Sequence, residues 1–157
     1  MLVNRDIRLA TLADISLLHA WVNTHDSLKW KKDTKNLIPA DEHLAWLRSR
    51  LSDPFTQIWI AVHDGTPSGQ VRLEKKGDFV YVDIYLVINA RGTGFASFAL
   101  NESIKRYTKL FGRKKFCAIV DPDNKTSEKL FLKNGFHKDE DELDYWLKFI
   151  RVVGRLT

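Results

Sequence analysis

Apolar and polar positions alternate along several stretches of the chain, and a period of two predicts β-strands there. Ile58, Ile60 and Val62 fall on one face of Gln57 to His63, and Val71 and Leu73 on one face of Gln70 to Lys75. In Phe79 to Val87, Val80, Val82, Ile84 and Leu86 share one face, and Tyr81, Asp83, Tyr85 and Val87 the other. Turns at Asp64-Gly65-Thr66-Pro67 and Lys76-Gly77-Asp78 join these three runs as hairpins. Ile7 to Ala10 and Lys115 to Val120 read as further strands, and Phe136 to Lys138 with Asp144 to Ile150 as a closing pair.

Helical spacing takes over between the strands. Thr11-Leu12-Ala13-Asp14 resembles a capping box and opens a helix to about His25. Pro39-Ala40-Asp41-Glu42 starts a second, with Leu44, Leu47 and Leu51 inward and Ser52-Asp53-Pro54 as its stop. Phe95 to Phe111 forms a third, with Phe98, Ala99, Ile104 and Leu110 on its buried side. Thr126 to Asn134 forms a short fourth helix after the Asp121-Pro122-Asp123-Asn124 turn, ended by Gly135. The order β-α-α-β-β-β-α-β-α-β-β combines hairpins with one strand–loop–helix–strand crossover. It predicts a mixed sheet with helices on its faces, an α/β or α+β fold.

With 157 residues, 44% of them hydrophobic, the chain has the size of one domain with a substantial core. No run reaches the roughly 18 apolar residues of a membrane helix, and Met1 to Arg8 lacks an apolar signal stretch. One cysteine, Cys117, excludes an internal disulfide framework and suits a reducing cytoplasm; its neighbours predict an inert strand thiol. The net charge of +5 suits an anionic ligand. Lys29-Trp30-Lys31-Lys32 and Arg113-Lys114-Lys115 carry much of it and read as solvated ends. No helix-turn-helix, RNA-binding sheet motif or zinc spacing is present, which argues against a nucleic-acid partner. No metal is expected.

The candidate chemistry lies at Asn89-Ala90-Arg91-Gly92-Thr93-Gly94-Phe95-Ala96, between a strand and a helix. Two glycines one residue apart allow a sharp turn, and the following helix supplies unpaired N–H groups and a positive dipole end. Together they suit a pyrophosphate or similar anion. The spacing fits neither a nucleoside-triphosphate P-loop nor the dinucleotide fingerprint. Beside the loop, alternation groups Trp59, Arg72, Glu74, Tyr81, Asp83 and Tyr85 on polar, aromatic strand faces. That surface either lines a ligand cavity or faces solvent through cross-strand pairs.

A second segment narrows the reading. Asn124-Lys125-Thr126-Ser127-Glu128-Lys129-Leu130-Phe131, ending in Gly135-Phe136, lies on the next β-α unit. With Leu86-Val87 and the loop from Arg91 to Ala96, it resembles the motifs of the GNAT superfamily, the GCN5-related N-acetyltransferases. The element order agrees over nearly the whole chain. The resemblance implies one domain over residues 1–157 with a mixed, mostly antiparallel sheet of about seven strands. It implies acetyl-coenzyme A as cosubstrate and direct attack by an acceptor amine. Backbone groups at Leu86 and Val87 would hold the pantetheine arm. Those at Arg91, Gly92, Thr93, Gly94, Phe95 and Ala96 would hold the pyrophosphate, with Asn124, Ser127 and Phe131 contacting the cofactor from the next helix.

The chain departs from the pattern at Phe131, where the family often carries a tyrosine that protonates the leaving thiolate. Tyr85, Tyr145 or water would have to replace it. Asp83, then Glu74, are the candidate proton acceptors, with surface carboxylates paired to Arg72 as the competing reading. The Trp- and His-containing segment from Trp21 to Leu47, with Gly69 to Leu73, resembles the branch that acetylates nucleotide-linked amino sugars. Trp30, His43, Trp59, Arg72 and Tyr81 are then acceptor-binding candidates. Trp21 and Trp46 as packing residues and His43 as a surface or capping histidine form the competing reading. The expected partner is a small-molecule amine, with no nucleic acid or membrane, in a monomer or homodimer. A protein N-terminal or ribosomal-protein acetyltransferase, or a noncatalytic acyl-coenzyme A binder, are the alternatives.

Overall fold

The computed structural model describes residues 3–32, 36–140 and 145–155; Asp144, the expected start of the last strand, lies outside them. The strands are β1 (Arg5–Leu9), β2 (Thr56–His63), β3 (Thr66–Lys76), β4 (Phe79–Leu86), β5 (Lys114–Val120), β6 (His137–Asp139) and β7 (Leu147–Val153). They form one sheet in the order β1-β2-β3-β4-β5-β7-β6. Every neighbouring pair is antiparallel except β4–β5. This is the mixed sheet that the element order predicts, mostly antiparallel as the family resemblance implies.

The helices are α1 (Ile15–Val22), α2 (His25–Lys29), α3 (Ala40–Ser52), α4 (Phe95–Phe111) and α5 (Lys125–Lys133). The capping box at Thr11 is present: its side chain accepts from Ala13 N–H, and Asp14 Oδ2 accepts from Thr11 N–H at 2.9 Å. The first expected helix is broken in two. Thr24 takes an extended conformation and its hydroxyl caps α2 by accepting from Ser27 N–H, so a new helix starts where one was expected to end. β3 begins at Thr66, earlier than the alternation suggests. A bulge where the register shifts between Ala61 and Val62 accommodates Pro67, which cannot donate to the ladder.

The sheet separates two apolar clusters. On one face, Trp59, Ala61, Val71, Leu73, Val80 and Val82 pack against Phe95, Ala99, Leu100, Ile104 and Tyr107 of α4. On the other, Ile58 and Ile60 pack against Leu18, Trp21 and Leu47 from α1 and α3. Leu110, expected inside, is 67% exposed, because the last turn of α4 directs Phe111 instead toward Phe55 and Tyr107. Cys117 is fully buried, and burial raises its thiol pKa to about 11, which suits the expected inert role. Among the described residues, no helix is long and apolar enough to cross a membrane.

The feature that positions the site is the short contact between β4 and β5. Their parallel pairing runs only from Phe79↔Lys115 to Tyr81↔Cys117. Beyond it, β4 follows β3 to Leu86 and β5 follows β7 to Val120. Each strand keeps its outer partner, so the facing edges diverge and leave backbone groups without a ladder partner between them.

Candidate active site

A groove of about 970 Å³ fills this divergence. Val82 to Leu86 of β4 form one wall, and Ile119 and Val120 of β5 with Asn124, Ser127, Leu130 and Phe131 form the other. Arg91 and Ala96 close one end; Trp30, Lys31, Lys32, Arg72 and Tyr81 line the other parts of the groove.

The glycine loop bends as its sequence requires. Gly92 and Gly94 have φ of 78° and 80°, the left-handed region that side chains other than glycine rarely adopt. Gly94 is the N-cap of α4 and offers no side chain to cap it, so first-turn amides near Ala96 remain available to an anion. The loop is braced from outside: Arg5 donates to the Thr93 carbonyl at 2.6 Å.

The structure divides the expected cofactor residues. Leu86, Arg91, Ala96, Asn124, Ser127 and Phe131 line the groove. Val87 does not; its N–H donates to the Ser68 carbonyl at 2.9 Å, inside the protein. The Leu86 carbonyl is also engaged, accepting from Arg91 Nε and Nη2 at 2.9 and 2.7 Å. Arg91 Nη1 donates to Asp26, so this side chain pins the end of β4 to α2. Gly92, Thr93 and Gly94 are exposed and do not line the groove, and the Phe95 ring is fully buried in the α4 core. Asn124 caps α5 by accepting from Ser127 N–H, a local reason for its place. An extended, amide-bearing arm with an anionic end fits this combination of open strand edges and uncapped amides.

The expected acceptor face needs one correction. Pairing of Trp59 with Val71 and of Ile58 with Arg72 turns Trp59 away from Arg72. Trp59 is buried against α4, with the Arg106 guanidinium 5.3 Å from its ring, so it does not line the groove. Glu74, Arg72, Asp83, Tyr81 and Tyr85 do share one face, set by pairing of Arg72 with Asp83 and of Glu74 with Tyr81. Gln70 donates to Asp83 at 2.9 Å, and Lys31 and Arg72 each lie 3.8 Å from the same carboxylate. Burial works against the Asp83 charge, but Lys31, Arg72 and the Gln70 amide outweigh it and lower its pKa to about 2. Such a carboxylate is a weak proton acceptor near neutral pH. Glu74 is buried and paired with Arg50, Arg72 and Lys76.

Phe131 is 3% exposed and packs edge-on against Phe136, with no proton to give. The Tyr145 hydroxyl donates to Asp121 and Asp123, and these carboxylates raise its pKa to about 12, which makes it a poor acid toward a thiolate. Tyr85 lines the groove between Trp21 and Arg91. Lys31, read from the sequence as solvated, is turned inward against Asp83. His43, weighed as a surface or capping residue, is buried at 4% exposure and stacks on Trp46. Among the described residues no cluster of His, Cys, Asp and Glu could hold a metal ion.

Residues 6–137 match the family model of the acetyltransferase (GNAT) domain. The chain belongs to the GNAT acetyltransferase family. No curated protein sequence matches this acetyltransferase significantly. Solved structures do resemble it. A domain from Methanocaldococcus jannaschii shares 22% identity at a TM-score of 0.83, covering 96% of this chain and 99% of that one. RimL, a ribosomal L7/L12 alpha-N-protein acetyltransferase in complex with coenzyme A, shares 14% identity at 0.79, covering 95% and 94%. A ribosomal-protein-alanine N-acetyltransferase from Brucella melitensis shares 20% identity at 0.76, covering 94% and 99%. At these identities the likeness establishes a common fold.

Proposed function

We propose that the enzyme moves the acetyl group of acetyl-coenzyme A to the α-amine at the N-terminus of a protein. The observation that carries the transfer is the divergence of β4 and β5 beside the uncapped start of α4. Bound acetyl-coenzyme A would supply an activated acyl group as its thioester. The open edges of β4 and β5 hold its arm, the amides near Ala96 take its anionic end, and Phe131, Ile119 and Val120 exclude water. The acceptor nitrogen forms the new C–N bond as the C–S bond breaks, and its proton leaves to solvent. The activities for which RimL and the Brucella enzyme are named support a ribosomal-protein acceptor.

A second acceptor, a nucleotide-linked amino sugar, is favoured by one feature. Trp30, Lys31, Lys32, Arg72 and Tyr81 give the groove aromatic and cationic walls, which suit a sugar face and a diphosphate. Free-thiol release from acetyl-coenzyme A, measured with N-terminal peptides and with amino-sugar nucleotides, separates the two. Release with peptides alone supports the first reading. Binding of acetyl-coenzyme A without release across both sets would overturn transfer to these acceptors.

A further inference from the structure

The sheet face that turns away from α4 carries more positive charge than its own carboxylates balance. Ile58 packs toward α1 and α3 and pairs with Arg72, which sets that face. Glu74, Lys76, Tyr81 and Asp83 share it by alternation and pairing. Asp83 has Lys31 and Arg72 beside it, and Glu74 has Arg50, Arg72 and Lys76. Two carboxylates thus meet four cations, and Lys32 lines the same groove as a fifth. The other carboxylates of the groove are engaged elsewhere: Asp26 accepts from Arg91, and Asp121 and Asp123 accept from the Tyr145 hydroxyl on the β5 side.

Three of these cations keep their donors open toward the groove. Arg72 lies 3.5 Å from Glu74 and 3.8 Å from Asp83, Lys31 lies 3.8 Å from Asp83, and Lys76 lies 3.7 Å from Glu74. Hydrogen bonds from N–H to oxygen run from about 2.7 to 3.2 Å, so these contacts balance charge without using the N–H groups. Arg50 and Gln70, by contrast, donate directly to Glu74 and Asp83. The side chains of Lys31 and Arg72 are only 21% and 23% exposed, so water is a poor substitute for a partner there.

The donor's anionic end does not account for this charge. That end is assigned to the start of α4, and α4 packs on the opposite face of the sheet. Tyr81, the partner of Glu74, stands five residues before Leu86, about 17 Å along β4 from the strand end that Arg91 holds. The spacing of the cations narrows the partner further. Arg72 and Lys76 are four residues apart on one face of β3, about 13 Å. The phosphates of a diphosphate share a bridging oxygen and lie too close together to meet both. Alternate side chains of an extended peptide project about every 7 Å and match that spread.

We propose that Lys31, Arg72 and Lys76 select an acceptor protein whose N-terminal segment is acidic, with carboxylate side chains within the first few residues behind the reactive amine. The proposal rests on reading the groove as an acetyl-transfer site.

The test uses the intact protein saturated with coenzyme A, which fills the donor's anion site. Calorimetry compares Ala-Asp-Gly-Asp-amide with Ala-Asn-Gly-Asn-amide, which differ in charge and hardly in shape. The acidic peptide binds about 10- to 150-fold more tightly, the range for hydrogen bonds to charged groups, and the difference shrinks as salt rises. Arg72→Gln removes most of the difference. Arg72 also steadies Glu74, so Lys76→Gln, at a side chain 64% exposed, reads the same effect where Arg72→Gln does not fold, and reduces the difference. Equal binding of the two peptides, or a difference that neither substitution reduces, overturns the proposal. Tighter binding of glucosamine 1-phosphate than of the acidic peptide overturns it in favour of a phosphate-bearing amine. Turnover separates the proposal from the reading it rests on. Thiol release at equal kcat/KM with the two peptides overturns the acidic-segment site and leaves acetyl transfer intact. Tight binding of the acidic peptide, with no thiol release from acetyl-coenzyme A with any amine, overturns acetyl transfer and leaves the acidic-segment site intact.

Discussion

Gly69→Ala tests whether the end of β4 is a fixed wall of the cofactor groove. Gly69 pairs with Leu86 across β3 and β4. A Cβ placed on it would lie 2.3 Å from the Tyr85 carbonyl oxygen, 2.5 Å from Leu86 Cδ2 and 3.0 Å from Leu86 Cα. Real Cβ contacts begin at about 3.0–3.4 Å, so the Tyr85 carbonyl must retreat by about 0.7–1.1 Å. A side-chain rotation relieves the Leu86 contact but not the backbone one. Overpacking of this kind costs about 1–3 kcal/mol, or a fall in Tm of about 3–9 °C for a chain of this length. The same shift moves the Leu86 carbonyl that Arg91 holds, and with it the groove wall. A displacement near 1 Å in a positioning element costs on the order of 100-fold in rate. Calorimetric titration with acetyl-coenzyme A, beside thermal unfolding, reads both effects. Weaker binding and a lower Tm are expected well below the melting transition, where the variant is still folded. An unchanged Kd would show that the backbone of Tyr85 and Leu86 has no bearing on the cofactor, and the groove assignment would fail.

Two further outcomes follow from the charge arrangement. Asp83→Asn lowers thiol release several-fold by freeing Lys31 and Arg72, but leaves the shape of the pH–rate profile between about pH 6 and 9 unchanged, because a carboxyl with a pKa near 2 does not titrate there; loss of an ionisation from the profile would restore Asp83 as proton acceptor. At Asp14, the hydrogen bonds from Arg8 lead, and with the Thr11 N–H they outweigh burial and lower its pKa below the unfolded value of 3.8. Its contribution is therefore present above about pH 4 and lost as pH falls through the folded pKa. Asp14→Asn should cost about 1 kcal/mol near neutrality and flatten the stability–pH curve below pH 4; urea midpoints measured across that range check both.

The strands of this fold are legible because alternation records which residues share a face, although β2 packs on helices on both of its faces. Alternation does not say which face of one strand adjoins which face of the next. The register does, and a one-residue slip exchanges the faces. Pairing of Trp59 with Val71 therefore put Trp59 in the α4 core, although its own strand reads correctly. Loop residues lack a period altogether, so nothing in Lys29-Trp30-Lys31-Lys32 distinguishes Lys31, which turns to Asp83, from its neighbours. His43 sits in the first turn of α3, where a polar residue ordinarily faces water. Its burial depends on Trp46, His19 and the far side of the sheet, contacts that no local pattern encodes.

The glycine loop is the most informative stretch of the sequence, made specific only by its pairing with Asn124 to Phe136, and the structure changes what its residues contribute. Arg91 acts through its side chain, tying the last β4 carbonyl to Asp26, while the left-handed glycines leave the start of α4 uncapped. The loop thus shapes the groove as much as it offers donors to it. The groups placed to move protons are poorly suited to doing so. Phe131 has none to give, Tyr145 is held by two aspartates, and Asp83 is held between two cations. On the proposed reaction, rate enhancement then comes chiefly from holding amine and thioester together. Well-oriented reactants reach effective molarities of about 10⁵ M or more, and a coenzyme A thiolate is a tolerable leaving group without an acid. An enzyme built this way depends more on the rigidity of its walls than on any single titrating residue.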